Sequence, residues 1–215
     1  MIFYIKMNNL FITFEGGEGS GKSTQVGLLK DYLDGQSLKT IITREPGGTP
    51  SAEILRDLLT RGKVDKWTAM SEALLMWAAR YEHIVDVIDP ALKAGKNVIC
   101  DRFYDSTYAY QGIAHNLGID KMEKLKELII GDIEPDLTFI LDIDPKIGIK
   151  RSLERSNLEN RFESYDIDFH NNIRNAFLNI SKQNKDRCIV IDASLSKQEI
   201  NKIIINKINQ LISNN

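Results

Sequence analysis

Eight residues constrain this chain more than any others. Gly16-Gly17-Glu18-Gly19-Ser20-Gly21-Lys22-Ser23 fills the pattern G-x-x-x-x-G-K-[ST], with an apolar run before it and a helical pattern after it. Glycines let the backbone curl so that successive amide N–H groups point inward at phosphate oxygens. A helix opening near Lys22 adds its positive N-terminal end. In this setting Lys22 is expected to reach the β- and γ-phosphates of a nucleotide, and the Ser23 hydroxyl to ligate Mg²⁺. Gly16, Gly17, Glu18, Gly19, Ser20, Gly21, Lys22, Ser23 and Thr24 are the candidate contacts to a bound nucleotide.

The rest of the chain supplies the scaffold such a loop needs. Short apolar runs at Leu10–Glu15, Lys39–Thr43, Asn97–Asp101, Leu137–Asp142 and Cys188–Asp192 predict strands. Between them lie helical patterns at Lys22–Asp34, Ser51–Arg61, Thr68–Ala94 (interrupted at Pro90), Tyr104–His115, Asp120–Ile130, Pro145–Arg155, Tyr165–Lys185 and Ser196–Ile212. Strands that are apolar throughout and alternate with helices predict an α/β fold, a five-stranded parallel sheet covered on both faces. Ser196 and Glu199 form a capping box at the head of the last helix. No linker or repeat divides the chain, so residues 10–215 are expected to form one domain behind a short extension, residues 1–9.

Composition removes whole classes of function. With 28 Lys and Arg against 30 Asp and Glu, the formal charge is −2. That balance argues against a dedicated nucleic-acid binder. Hydrophobic residues at 42% with 27% charged describe a folding, water-exposed chain. Cys100 and Cys188 each sit in or beside an apolar run and are expected to be buried thiols, while His83, His115 and His170 form no metal-ligand spacing. The first residues lack the basic and apolar regions of a signal peptide, which predicts a cytoplasmic protein without membrane contact, and Met7 is an alternative start.

A phosphate loop fits a kinase, a GTP switch, a motor or transporter ATPase, or a nucleotide sensor. The switch lacks support: no Asp has Gly three residues on, and Asn184-Lys185-Asp186-Arg187 carries Arg where a guanine reader needs Asp. A small-molecule kinase leads. Phosphoryl transfer between two anions needs cations on the acceptor side. Arg44, Arg56, Arg80 and Arg102 stand at strand ends or on following helices, where an open α/β sheet places ligands. Lys150, Arg151, Arg155 and Arg161 make a cationic stretch, which reads either as a solvated charged surface helix or, given the charge that phosphoryl transfer needs, as a mobile basic lid over about residues 148–164 that excludes water on closing.

These residues resemble the thymidylate kinase family, P-loop nucleoside monophosphate kinases that make dTDP from dTMP and ATP. The likeness runs from about Leu10 to the C-terminus. It rests on Glu15–Thr24, Thr43-Arg44-Glu45-Pro46-Gly47-Gly48-Thr49, Ala78-Ala79-Arg80 and the segment Ile99–Gln111 with its Asp101-Arg102-Phe103 and Tyr108-Ala109-Tyr110-Gln111. The resemblance implies a P-loop NTPase fold. It also implies that Arg56 and Arg102 hold the dTMP phosphate and that Arg80 and Gln111, assisted by Thr107, read the polar edge of thymine. Tyr110 would exclude a ribose 2′-hydroxyl. Glu18 and Asp101 would approach the acceptor sugar and the waters of Mg²⁺, with Glu163 a weaker candidate nearby.

Relatives with an arginine inside the phosphate loop use it as the extra cation; here that position is Gly19, so the resemblance implies a catalytic arginine from the lid, with Arg155, Arg151 and Arg161 as candidates in that order. Lys22, Arg102, Asp101 and one lid arginine would form the catalytic set. A phenylalanine that stacks on the base in many relatives is replaced by Met76, whose thioether offers less planar contact; beside it, Trp77 could serve the base or the core. A homodimer is implied as well. A kinase for another pyrimidine nucleotide such as dUMP, and a non-catalytic nucleotide-binding regulator, remain as alternatives.

Overall fold

The computed structural model describes residues 9–154 and 161–213. Strands β1 (Phe11–Glu15), β2 (Thr40–Arg44), β3 (Asn97–Asp101), β4 (Leu137–Asp142) and β5 (Cys188–Asp192) form one sheet in the order β2-β3-β1-β4-β5. Every pairing is parallel; Phe11 is in register with Val98 of β3, and Ile12 with Leu137 of β4. The five-stranded parallel sheet is therefore as the apolar runs predict, and it carries helices on both faces.

Strand β1 feeds both cores because its side chains alternate. Phe11 packs with Trp77, Phe103 and Phe177 on one face, whereas Ile12 and Phe14 pack with Leu29, Phe139 and Ile204 on the other. Each fully buried residue of this kind stabilises the fold by about 1.5–3 kcal/mol. Thr13 is buried among them without penalty because its hydroxyl meets that of Thr138 at 2.7 Å. Asn9, assigned to the extension by sequence, is buried and donates through Nδ2 to Leu92 O and Lys96 O at 2.9 and 2.8 Å.

The helices are α1 (Lys22–Gly35), α2 (Pro50–Thr60), α3 (Ala69–His83), α4 (Asp89–Lys93), α5 (Tyr104–Thr107), α6 (Ile119–Ile129), α7 (Pro145–Leu153), α8 (Ile167–Gln183) and α9 (Lys197–Ser213). Thr49 caps α2 by accepting from Ala52 N at 3.1 Å, and Asp166 caps α8 by accepting from Phe169 N at 2.8 Å. The Ser196–Glu199 capping box closes in both directions, at 2.9 and 3.3 Å.

Two departures from the periodicity take the same form, a π-helical segment. The pattern Thr68–Ala94 is not interrupted at Pro90: a π-helical segment, Ile84–Ile88, joins α3 to α4, with Asp89 N donating five residues back to Ile84 O. The wider turn lets the chain pass a proline that has no N–H and stay helical. Likewise Tyr104–His115 is one α turn followed by a π-helical segment, Tyr108–Ala114, and His115 N bonds Tyr110 O at 2.8 Å. π turns concentrate at functional sites, and this one carries Tyr110 and Gln111.

Candidate active site

Strand order reverses between β3 and β4, on either side of β1, and ligands bind beyond the carboxyl ends of strands at such a point. A cleft of ≈ 250 Å³ opens there. Its floor is the glycine loop that leaves β1, its walls come from the ends of β2 and β3 and from α3, and Ser152, Phe162 and Glu163 close one side.

Within the loop, Gly16, Gly19 and Gly21 have φ of 134°, 65° and 93°, conformations that other residues adopt at a cost. Gly19 also lies against α7. A Cβ on Gly19 would stand 1.9 Å from Gly148 O, and a Cβ on Gly148 2.3 Å from Glu18 O. The loop and α7 therefore touch backbone to backbone, and an arginine at position 19 has no room.

Lys22 Nζ donates to Gly16 O, Gly17 O and Ser20 Oγ at 3.1, 3.0 and 3.3 Å. Burial, with Arg102 beside it, pulls its pKa down to about 8. Ser23 Oγ donates to Asp101 Oδ2 at 2.7 Å, bringing two hard oxygen donors together at the mouth of the loop. Thr24 is exposed and lies outside the cleft lining.

Arg102 is the hub. It follows β3 with φ 70°, a left-handed backbone unusual for arginine. Its guanidinium donates to Gly16 O at 3.0 Å, Ser106 Oγ at 3.1 Å and Glu18 Oε1 at 3.0 Å, and it lies 5.2 Å from the centre of the Tyr110 ring. Tyr110 OH donates to the same Glu18 oxygen at 2.6 Å. Burial alone would raise the Glu18 pKa, but the charges of Arg102 and Lys22 and the Tyr110 hydroxyl outweigh it and hold the carboxyl at about 2. Glu15 supports the turn from below, accepting from Phe103 N at 2.7 Å and Ser106 Oγ at 2.6 Å. Burial and the neighbouring Asp105 push its pKa up to about 8.

Deeper in the cleft, Arg80 is nearly inaccessible. Its Nε donates to Glu45 Oε2 at 2.7 Å, and NH2 donates to Phe103 O at 3.1 Å and Thr107 Oγ1 at 3.0 Å, while NH1 is buried without a partner. The guanidinium stacks 4.5 Å over the Trp77 ring. Trp77 is thus core and Met76 is the member of the pair that lines the cleft. Gln111 lines it too, its Nε2 donating to Glu72 Oε1 at 2.7 Å. Arg56, from α2, donates to Pro46 O at 2.8 Å, and exposed Arg44 pairs with Glu53 at 2.9 Å.

The lid arginines separate. Arg155 lies outside the described residues. Arg151 reaches Ala193 O at 3.4 Å and is not part of the cleft lining. Arg161, expected as a free lid cation, is fully buried instead. It donates to Lys63 O, Leu59 O and Val64 O at 2.9, 3.1 and 2.8 Å and pairs with Glu72 Oε2 at 2.5 Å. Carbonyls in the last turn of α2 and just beyond it claim the guanidinium, so Arg161 anchors the segment rather than standing free beside the cleft. Glu163 accepts from Ser152 Oγ at 2.7 Å, and burial together with Glu18 raises its pKa.

Sequence reasoning gave no site role to Glu45, His83 or Glu72. His83 Nδ1 donates to Glu45 Oε1 at 3.0 Å and Nε2 accepts from Thr43 Oγ1 at 2.5 Å, which braces the carboxylate that holds Arg80. Glu72, Met76 and Arg80 recur every four residues along α3, a spacing that sets them on one helix face. Among the described residues no three His, Cys, Asp or Glu side chains form a metal-binding group, and both cysteines are buried and free.

Comparison with known proteins agrees with this geometry. The thymidylate kinase family model matches residues 14–204. The chain is similar to the thymidylate kinase of Afipia carboxidovorans, 48% identical over 90% of this chain and 86% of the relative, and to that of Magnetococcus marinus, 47% identical over 90% and 92%. A crystal structure of thymidylate kinase from Ehrlichia chaffeensis superposes with a TM-score of 0.76 at 37% identity, covering 93% of this chain and 98% of that one. The chain, with its P-loop NTPase fold, belongs to the thymidylate kinase family.

Proposed function

We propose that this protein transfers the γ-phosphoryl group of ATP to the phosphate of dTMP, giving dTDP and ADP. The observation that carries this reading is the continuity of one cleft, which joins Lys22 and Ser23 at the phosphate loop to Arg80, Thr107 and Gln111 at its far end. The loop end suits a nucleoside triphosphate. At the far end, a nearly inaccessible arginine, a threonine and a glutamine suit the polar edge of a pyrimidine.

In the reaction an oxygen of the dTMP phosphate attacks the γ-phosphorus in line. The bond from that phosphorus to the β–γ bridging oxygen breaks, and ADP leaves with the electron pair. The acceptor is already ionised at neutral pH, so no general base is required. Catalysis is positioning and charge stabilisation. Lys22 serves the β- and γ-phosphates, Arg102 and Arg56 the acceptor phosphate, and a lid arginine, Arg155 first and Arg151 second, supplies the cation that Gly19 cannot. Arg102 is held between Gly16, Glu18 and Ser106, so its position is set before substrate arrives. Tyr110, fixed to Glu18, walls the space beside the sugar and disfavours a 2′-hydroxyl.

Ser23 and Asp101 fit Mg²⁺, which takes oxygen ligands and is completed by substrate phosphates and water rather than by a full protein cage. When bound, the ion would neutralise charge on the transferring phosphates. Residues of about 148–164 act as the lid of a kinase domain spanning 10–215, with Arg161 as its fixed end. A homodimer is supported by apolar residues exposed along α2 and α3: Ile54 at 66%, Leu74 at 49% and Tyr81 at 45%. We place the protein in the cytoplasm, in keeping with its free thiols. Among the described residues no helix is long and apolar enough to cross a membrane.

The test is a coupled ADP-release assay with ATP and Mg²⁺, screening dTMP, dUMP, dCMP, dGMP, UMP and thymidine as acceptors. The expected result is a dominant response to dTMP. A dominant response to another monophosphate would reassign the base pocket around Met76, and ATP binding without turnover on any acceptor would make the protein a nucleotide sensor.

A further inference from the structure

Glu72 is a fully buried carboxylate that does not line the cleft, yet it touches a residue that does. Its Oε1 accepts from Gln111 Nε2 at 2.7 Å, and its Oε2 pairs with Arg161 NH1 at 2.5 Å. His115 Nε2 stands 3.4 Å from Oε1. Burial alone would raise the Glu72 pKa, but the nearby His115 ring, the Gln111 hydrogen bond and the charge of Arg161 bring it below the ordinary value, so the group is an acceptor only.

That charge decides which way Gln111 faces. A side-chain amide has a donor end and an acceptor end, and only the donor end can meet a carboxylate. With Nε2 committed to Glu72, Oε1 is left to the cleft, and it accepts no hydrogen bond from the described residues. Arg80 lines the same end of the cleft and carries the opposite polarity, a donor-only guanidinium whose NH1 has no acceptor among the described residues. The far end of the cleft thus pairs one donor with one acceptor. A pyrimidine carrying O4 beside N3–H matches both, whereas cytosine, with a 4-amino group beside a bare N3, meets donor with donor and acceptor with acceptor.

We infer that Glu72 is the positioning residue for base selection, fixing Gln111 so that it presents its carbonyl oxygen, and that Arg161 holds Glu72 in place from the foot of the lid. The inference rests on the proposed dTMP kinase activity and deepens it. A glutamine in place of Glu72 could offer either amide end to Gln111, so both orientations of Gln111 become available and the polarity of the pocket is no longer set. Sites built to hydrogen-bond a substrate N–H or O–H reject mismatched analogues by up to about 10⁴–10⁵, so there is a wide margin to lose.

The experiment measures kcat/KM for dTMP and for dCMP, with KM for ATP alongside, in the wild type, Glu72→Gln, Gln111→Leu and the Glu72→Gln/Gln111→Leu double variant. Because Glu72→Gln leaves Arg161 buried beside a neutral partner, Glu72→Gln/Arg161→Met is measured as well; replacing a buried ion pair as a unit is tolerated far better than breaking it. The expected result is a dTMP-over-dCMP ratio at least tenfold lower in Glu72→Gln and in Glu72→Gln/Arg161→Met, with KM for ATP unchanged. In the Gln111→Leu background Glu72→Gln should change the ratio no further. A purely structural role would lower Tm and leave the ratio alone, and that result in a folded variant overturns the inference. A further loss of discrimination in the Gln111→Leu background overturns it too, since Glu72 would not be acting through Gln111. A wild type without preference for dTMP removes the proposed function, and the inference with it, before any variant is compared.

Discussion

Gly148→Ala separates the packing described here from ordinary helix behaviour, because the two give effects of opposite sign. Gly148 lies inside α7, where exchanging glycine for alanine stabilises a helix by about 0.5–1 kcal/mol. Its backbone needs no positive φ, so strain at the substituted residue does not enter. The Cβ, however, would stand 2.3 Å from Glu18 O, about 1 Å inside ordinary contact, which begins near 3.4 Å. The obstacle is a backbone carbonyl with no rotamer to escape into, so α7 and the phosphate loop must separate by roughly that ångström. A misplacement of this size costs about 10²-fold in rate when it falls between reacting groups. We therefore expect Gly148→Ala to lower kcat/KM for ATP by about 10²-fold and to lower Tm. The check is an ATP titration at saturating dTMP in the coupled assay, with a thermal melt of the same sample. Activity within twofold of the wild type together with a raised Tm would refute the reasoning, since helix propensity alone would then account for the variant.

The remaining predictions concern charge and the sugar wall. Lys22, with a pKa near 8, must be protonated to hold phosphates, so kcat/KM for ATP should fall as pH rises through about 8; a flat profile to pH 10 would contradict that assignment. Lysine 22 is also the group whose folded pKa lies below its usual 10.5, so its burial opposes folding below pH 8 and that penalty is relieved between pH 8 and 10.5. Tyr110→Ala should relax the preference for dTMP over ribothymidine monophosphate, measured as a ratio of kcat/KM values, and an unchanged ratio rejects the steric role. Arg161→Ala leaves Glu72 buried without its cation and should destabilise the fold by about 3–5 kcal/mol, read by urea denaturation; loss of turnover at normal stability would return Arg161 to the catalytic set. Arg155→Ala should cut kcat by about 10³–10⁵-fold, and near-normal turnover in both Arg155→Ala and Arg151→Ala would remove the lid as the source of the cation.

The sheet was legible because β1, β3 and β4 are buried on both faces, and a continuous apolar run such as Leu137–Asp142 suits little else at that length. Strand β2 sits at an edge, with Ile42 exposed, and its limits are shifted by one residue from Lys39–Thr43 to Thr40–Arg44. The π segments were not legible: a side-chain pattern of period 3.6 continues across one widened turn, and only the hydrogen bond from Asp89 N to Ile84 O distinguishes it. At the site, Lys22 and Ser23 were legible in the spacing of the glycine loop and Arg102 in its place after β3, whereas Asp101 entered only through the family resemblance. The anchoring of Arg161 was not legible, because what fixes it is the carbonyl of Leu59, 102 residues earlier, while its own neighbourhood reads as a charged surface helix. Glu72 escaped for a related reason: a lone glutamate in a helix looks solvated until the fold places an arginine and a glutamine against it.

The touching backbones of Gly19 and Gly148 also bear on how such a chain can diverge. Neither position has room for a side chain while the loop and α7 stay in contact, so the two glycines are sterically coupled although 129 residues (148 − 19) separate them. A descendant that gained an arginine at position 19 would first have to let α7 stand back from the loop, and an ancestor with α7 set back would have had no need of glycine at 148. The origin of the extra cation is thus a property of how two segments meet, and it changes hands only when both sides of the contact change together.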